Sequence, residues 1–210
     1  MGVTHSPRQR RRPLRLAGAR DRIERTAYEL FSRHGVRAVG VDTLTARAGV
    51  AKMTLYKHYP SKDELALAFL RRREELWTRA WLQGEVERSD GTPGDKLLAI
   101  FDVFDRWFRR ADFGACAFSR VLCELDQHGH PVRRVAVRHF GNIRSFIRRL
   151  AGDAGARDAD GFARQWQILM IGSILAAYAG DLEAARRAKA VGLRFLAAET
   201  ASKPPLGRRK

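Results

Sequence analysis

Apolar positions recur every three to four residues along most of the chain, and no stretch alternates with the period of a strand. The spacing predicts an all-α protein of about nine helices. Ile23, Ala27, Leu30 and Phe31 make a stripe on a helix over 20–34, with Arg22, Arg25 and Arg33 facing outward and His34-Gly35 closing it. Val41, Leu44, Thr45 and Ala48 define a short amphipathic helix over 41–48, which Gly49 stops by taking a left-handed turn. Residues 51–58 form another helix, anchored by Leu55 and Tyr59. Ser61-Lys62-Asp63-Glu64 then caps a long helix that runs from 62 into the low 80s.

The loop-forming residues of 84–95 mark a break. Helices follow over 95–110, 114–127, 132–151, 161–179 and 181–198, with a turn at 128–131 and a loop at 153–160. These boundaries divide the chain into a basic arm (1–19), a small head (20–66), a helical body (67–200) and a tail (201–210).

Helix, glycine turn, polar helix over 40–62 is the pattern of a helix-turn-helix, whose second helix enters the DNA major groove. That second helix carries Lys52, Thr54, Tyr56, Lys57 and His58 and no carboxylate. An acid-free face suits a polyphosphate partner. Charge points the same way. The 210 residues carry a formal +17, and residues 1–62 hold 14 Lys and Arg against four acids, a net of +10 in under a third of the chain. The arm, with Arg8, Arg10, Arg11, Arg12 and Arg15 and no acid, reads either as a phosphate-following arm or as a solvated tail.

Other chemistries find little purchase. No apolar run reaches the ~20 residues of a membrane span, so no membrane partner is expected. Cys116 and Cys123 are seven apart, ~10 Å along one helix and too far for a disulfide. Two cysteines cannot assemble a structural zinc set, and His128 and His130 flank a Gly-Pro turn. We expect a reducing, cytoplasmic setting, no cofactor and no enzymatic activity, since no phosphate-cradling loop or nucleophile motif is present.

Residues 23–69 resemble the DNA-binding head of the TetR family of bacterial transcription regulators. The resemblance rests on Ala27…Leu30-Phe31…His34-Gly35, Ala48-Gly49-Val50, Thr54-Leu55-Tyr56-Lys57-His58-Tyr59 and Ser61-Lys62-Asp63-Glu64-Leu65. It implies a dimer on a palindromic operator, most simply a repressor released by a small effector. Lys52 and Thr54 would meet base edges or nearby phosphates, and Lys57 a base or a phosphate. Tyr56, His58 and Lys62 would hold phosphates. Asp42 and Thr43 open the 41–48 helix at a contact position, where Asp42 could instead favour the helix N-terminus. Thr45 and Met53 depart from the small residues common at their positions.

The resemblance also makes the last two helices the dimer interface, through Ile168, Gly172, Ala176, Ala179, Val191 and Phe195. Small residues there admit a close partner helix. The middle helices would enclose the effector. Its candidate lining is Trp77, Trp81, Phe104, Trp107, Phe118, Glu124, His139, Phe140 and Trp166, with Cys116, Cys123 and Gln165 beside them; each is also an ordinary core residue. This aromatic set suits an apolar or aromatic ligand, and a buried Glu124 would favour a cationic one.

Overall fold

The computed structural model describes residues 18–200. The expected arm, apart from Gly18 and Ala19, and the tail 201–210 lie outside them. Nine helices and no strand make up the described residues. The head holds α1 (Ala19–His34), α2 (Val41–Ala48) and α3 (Lys52–His58). Next, α4 runs unbroken as α-helix over Lys62–Arg73, π-helix over Glu74–Gln83 and α-helix again over Gly84–Arg88. The body adds α5 (Pro93–Phe108), α6 (Ala117–Glu124), α7 (Pro131–Asp153), α8 (Ala159–Tyr178) and α9 (Ala184–Thr200). None of the described helices is long and apolar enough to cross a membrane.

Caps explain where several helices begin. The Ser61 side chain accepts from the Glu64 N–H at 3.1 Å and starts α4. Thr92 and Asp95 form a capping box around Pro93 and start α5. The expected 84–95 loop is therefore too long. Val86 is fully buried and carries α4 on to Arg88, and only residues 89–92 turn. The expected helix over 114–127 shortens to Ala117–Glu124, because Ala115 adopts φ 64° and Cys116 serves as the N-cap.

In the head, Leu55 is fully buried in the core that also takes in Ile23, Phe31, Leu44 and the α4 residue Leu65. Burial of one such side chain contributes roughly 1.5–3 kcal/mol. Since α3 is only seven residues long, this anchor rather than its own propensity holds it helical. The Arg22 side chain, expected outward, instead turns inward. Its Nε donates to the Ala48 carbonyl at 3.1 Å and caps the end of α2, where the helix dipole favours a cation.

In the body, α5, α8 and α9 pack around Phe101, Trp166, Phe162 and Phe195, and α7 closes the other side through Ile143 and Ile147. The rod α4 packs on both α1 and α7, so it belongs to both units.

Candidate nucleic-acid interface and effector cavity

The chain direction at the helix-turn-helix is set by Gly49, whose φ 62°, ψ 46° is the left-handed conformation expected of it. The turn leaves α3 with one face on the core and the other in solvent. Lys52, Met53, Tyr56, Lys57 and His58 are exposed, Thr54 is half-buried, and Leu55 and Tyr59 point inward. Tyr59 is a core aromatic whose hydroxyl hydrogen-bonds the Glu24 carboxylate of α1. That bond comes first among the causes holding the Glu24 carboxyl below its ordinary value. Met53 is 80% exposed and stands among the donors, an apolar contact presented to whatever meets this face.

Asp42 and Thr43 are exposed on the first turn of α2. The Asp42 carboxylate lies 3.0 Å from the Lys52 ammonium, so the acid-free character of α3 is partly offset from the neighbouring helix. This hydrogen bond, with the attraction of the carboxylate, raises the Lys52 pKa. Thr45 is buried and its hydroxyl donates to the Asp42 carbonyl at 3.0 Å, which accounts for a polar residue in that place.

Lys62 sits elsewhere. Its ammonium is half-buried at the seam between head and body and donates to the Arg37 carbonyl at 3.2 Å; burial pushes its pKa down. The same seam contains Glu124, which borders a cleft of about 340 Å³ with Lys62 and His130 and not the aromatic cavity expected of it. Its Oε2 accepts from the Arg37 backbone N–H at 2.9 Å, and it lies so close over Gly35 (φ 84°) that a Cβ there would meet its carboxylate. Arg120 of α6 donates to the Arg33 carbonyl at 2.8 Å, and His130 lies 3.3 Å from Asp63. Helix α6 is thus bolted to the end of α1.

Inside the body, Trp77, Phe104, His139 and Phe140 line a small cavity of about 30 Å³, together with Cys116 and Met170. The other expected lining residues sit differently. Trp166 is fully buried among Phe101, Phe162 and Phe195. Trp81 and Trp107 pack on Trp77 from outside the cavity wall. Phe118 stacks on the His139 ring at 3.6 Å. Cys123 and Gln165 are exposed. An open groove of about 560 Å³ between α1, α4 and residues 112–115 carries mostly charged side chains and is a different feature.

His139 is the buried polar centre. Its Nδ1 lies 2.5 Å from Glu74 Oε2, and Asn142 Nδ2 donates to Glu74 Oε1 at 2.9 Å. The ring and Cys116 border the same cavity. Burial works against charge on all three groups, and their mutual hydrogen bonds outweigh it. The His139 pKa is raised, that of Glu74 is lowered, and that of Cys116 falls to about 7. Sequence spacing offered no signal for this cluster, because positions 74, 116 and 139 meet only through the packing of α4, α6 and α7.

On the far side of the body, Ile168, Leu175 and Tyr178 of α8 are 70%, 66% and 56% exposed, with Gly172 and Ala179 exposed between them. Leu182, Val191 and Leu193 are exposed apolar residues as well. Two residues expected at a partner interface belong partly to the chain's own core. Phe195 stacks on Phe162 at 4.6 Å, and Ala176 is half-buried.

Comparison with known proteins agrees with this architecture. The family profile described as "Bacterial regulatory proteins, tetR family" matches residues 23–69. Over 46 residues the chain is 50% identical to the HTH-type transcriptional activator FasR of Mycolicibacterium smegmatis, a match spanning 22% of this chain and 21% of that protein. The whole fold is similar to SCO4454, a TetR-family transcriptional regulator from Streptomyces coelicolor, at 27% identity and a TM-score of 0.79, covering 88% of this chain and 96% of that one. A putative TetR transcriptional regulator from Streptomyces avermitilis gives 28% identity and a TM-score of 0.76, covering 88% and 98%. With its head matched by profile over residues 23–69 and its nine described helices matched by fold, the chain has the DNA-binding head and the fold of the TetR family of bacterial transcriptional regulators.

Proposed function

We propose that the chain acts in the cytoplasm as a homodimeric repressor, by binding and not by catalysis, and that a small effector releases it from a palindromic operator. The observation that carries this reading is the exposed face of α3, where Lys52, Tyr56, Lys57 and His58 present donors without a carboxylate on the same helix. Thr54 and Lys52, at the N-terminal end of α3, are the base-reading positions. Tyr56 and His58 hold phosphates.

The exposed stripe Ile168, Gly172, Leu175 and Ala179 supports a two-fold dimer built on α8 and α9. Two such heads would place their α3 helices ~34–36 Å apart, one turn of B-DNA. The cavity around Trp77, Phe104 and Phe140 supports a small, apolar effector. At about 30 Å³ it is far below the ~300–1,000 Å³ of ordinary ligand pockets, so a larger ligand must open it. Because α6 touches both cavity and head, its displacement is the route by which occupancy changes the head spacing.

A second reading, activation, is favoured by a 46-residue likeness to a protein named an activator. The test is a mobility shift on the intergenic DNA beside the gene, with competitor DNA and stated salt, followed by transcription in vitro from that fragment. Binding to one palindrome with reduced transcript supports repression, and increased transcript supports activation. Equal binding to all DNA would make the chain a nonspecific basic protein. Thr54→Ala should relax discrimination between operator and mismatched sites.

A further inference from the structure

Cys116 has surroundings that a cysteine filling space in a core does not need. It is the N-cap of α6, where the helix N-terminus favours negative charge, and it shares a cavity wall with Ser119 one turn on. Ala115, held at φ 64° in a region rarely used by side chains other than glycine, sets it there. His139 borders the same small cavity as the sulfur, and its ring is fixed from two sides. Glu74 holds Nδ1 at 2.5 Å, and Phe118 stacks on the ring face with 5° between the planes. Desolvating a carboxylate and an imidazole together is costly and adds little to stability. An activated thiol gives that cost a use.

The sulfur borders the 30 Å³ cavity, whose walls include Trp77, Phe104, Phe140 and Met170. That space admits a molecule little larger than water. Its reactant must be small and uncharged. On the other side of the His139 ring, a cleft of about 370 Å³ between α4 and α7 opens to solvent and supplies an approach.

We propose that Cys116, His139 and Glu74 form a hydroperoxide-reactive thiol site, and that oxidation of Cys116 is the effector event transmitted to the head through α6. The proposal rests on the DNA-binding regulator reading above and makes a hydroperoxide the effector in place of the apolar ligand. The Cys116 thiolate attacks one oxygen of hydrogen peroxide. An S–O bond forms and the O–O bond breaks. The departing hydroxide takes the proton of the His139 imidazolium and leaves as water. Sulfur loses two electrons, the peroxide gains them, and a sulfenic acid faces a neutral imidazole. Cys123 lies two turns along the same helix, ~10 Å away, so no internal disulfide follows and an external thiol must restore the site. The new oxygen has to be housed beside the start of α6. From there Arg120 and Glu124, four and eight residues on, hold Arg33 and Arg37.

The test uses the full chain carrying Cys123→Ser, exposed to hydrogen peroxide for timed intervals, quenched with catalase, then unfolded in urea with dimedone present and read by intact mass. The expected result is one adduct, on Cys116, formed at least about tenfold faster than in the same chain unfolded in urea. His139→Gln should remove most of that advantage; the native-against-urea comparison decides the point even if this variant does not fold. Peroxide should also weaken binding to the intergenic DNA at least about fivefold, reversibly with dithiothreitol, and leave the Cys116→Ser chain unaffected. No adduct on Cys116, or a rate equal to that of the unfolded chain, overturns the site. An adduct with unchanged DNA affinity overturns the transmission. If the reduced chain binds no operator, it is the regulator reading that fails, and the mass measurement still decides the thiol chemistry.

Discussion

Glu124 of the body accepts a hydrogen bond at 2.9 Å from the backbone of Arg37 in the head. The bond spans the turn that leads into the helix-turn-helix, so the orientation of the head is set partly by a carboxylate on α6. Glu124→Ala should speed hydrogen exchange at the Arg37 amide about fivefold, as expected for losing a bond worth about 1 kcal/mol. Gly35→Ala should act in the same direction, because its new Cβ would displace the carboxylate and φ 84° disfavours any side chain. Unchanged exchange in both variants would remove α6 from any role in aligning the head.

The Lys52–Asp42 pair makes α2 a brake on α3. Asp42→Asn should strengthen binding to unrelated DNA and steepen the salt dependence of log K by up to ~0.9, the equivalent of one more phosphate contact. Fluorescence anisotropy at several salt concentrations measures both. Adding Lys52→Ala should cancel the gain, since the freed ammonium is its source.

For the partner interface, Leu175→Asp is the informative change. Leu175 is 66% exposed, so a charge there does little to the chain's own core and directly opposes burial against a second copy. Sedimentation velocity should show monomers, with far-UV circular dichroism unchanged. Ala176 is a poorer site for the same experiment, being half-buried in its own body.

Tyr59→Phe keeps the packing of the head and deletes its hydrogen bond to Glu24. The expected loss is about 1 kcal/mol in urea unfolding at neutral pH. The sign with pH follows from the Glu24 carboxyl, whose pKa is lowered in the fold. Its contribution is present above the unfolded carboxylate value of ~4.3 and is lost as pH falls through the folded value. The two proteins should therefore converge in stability in strong acid.

What the sequence could convey tracks how local the physics is. Gly49 and Ser61 reveal their turn and cap because the determinant lies within three residues of the effect. Leu55 and Tyr59 reveal the buried side of α3 through their spacing. Thr92-Pro93-Gly94-Asp95 was equally legible as a helix start, yet the Gly and Pro around it read as loop. Lys62, Glu124 and Trp166 were harder. Each has the right character for the role it was given, and only the packing of distant helices decides that Lys62 and Glu124 face the seam while Trp166 fills the α5–α8–α9 core. The Cys116–His139–Glu74 cluster had no signature at all, its members being joined by tertiary contacts alone.

The π-helical stretch Glu74–Gln83 gives α4 a mechanical character that a uniform rod would lack. A continuous α-helix behaves as a drive shaft, turning both ends together. A segment hydrogen-bonded i→i+5 holds surplus chain in its wider turns, and re-pairing it i→i+4 would release that surplus as rotation, about 100° per residue of register at 3.6 residues per turn. Glu74 and Trp77 lie within this segment, one holding His139 and the other lining the cavity. The clutch of the shaft is thus engaged by the same residues that surround the reactive thiol.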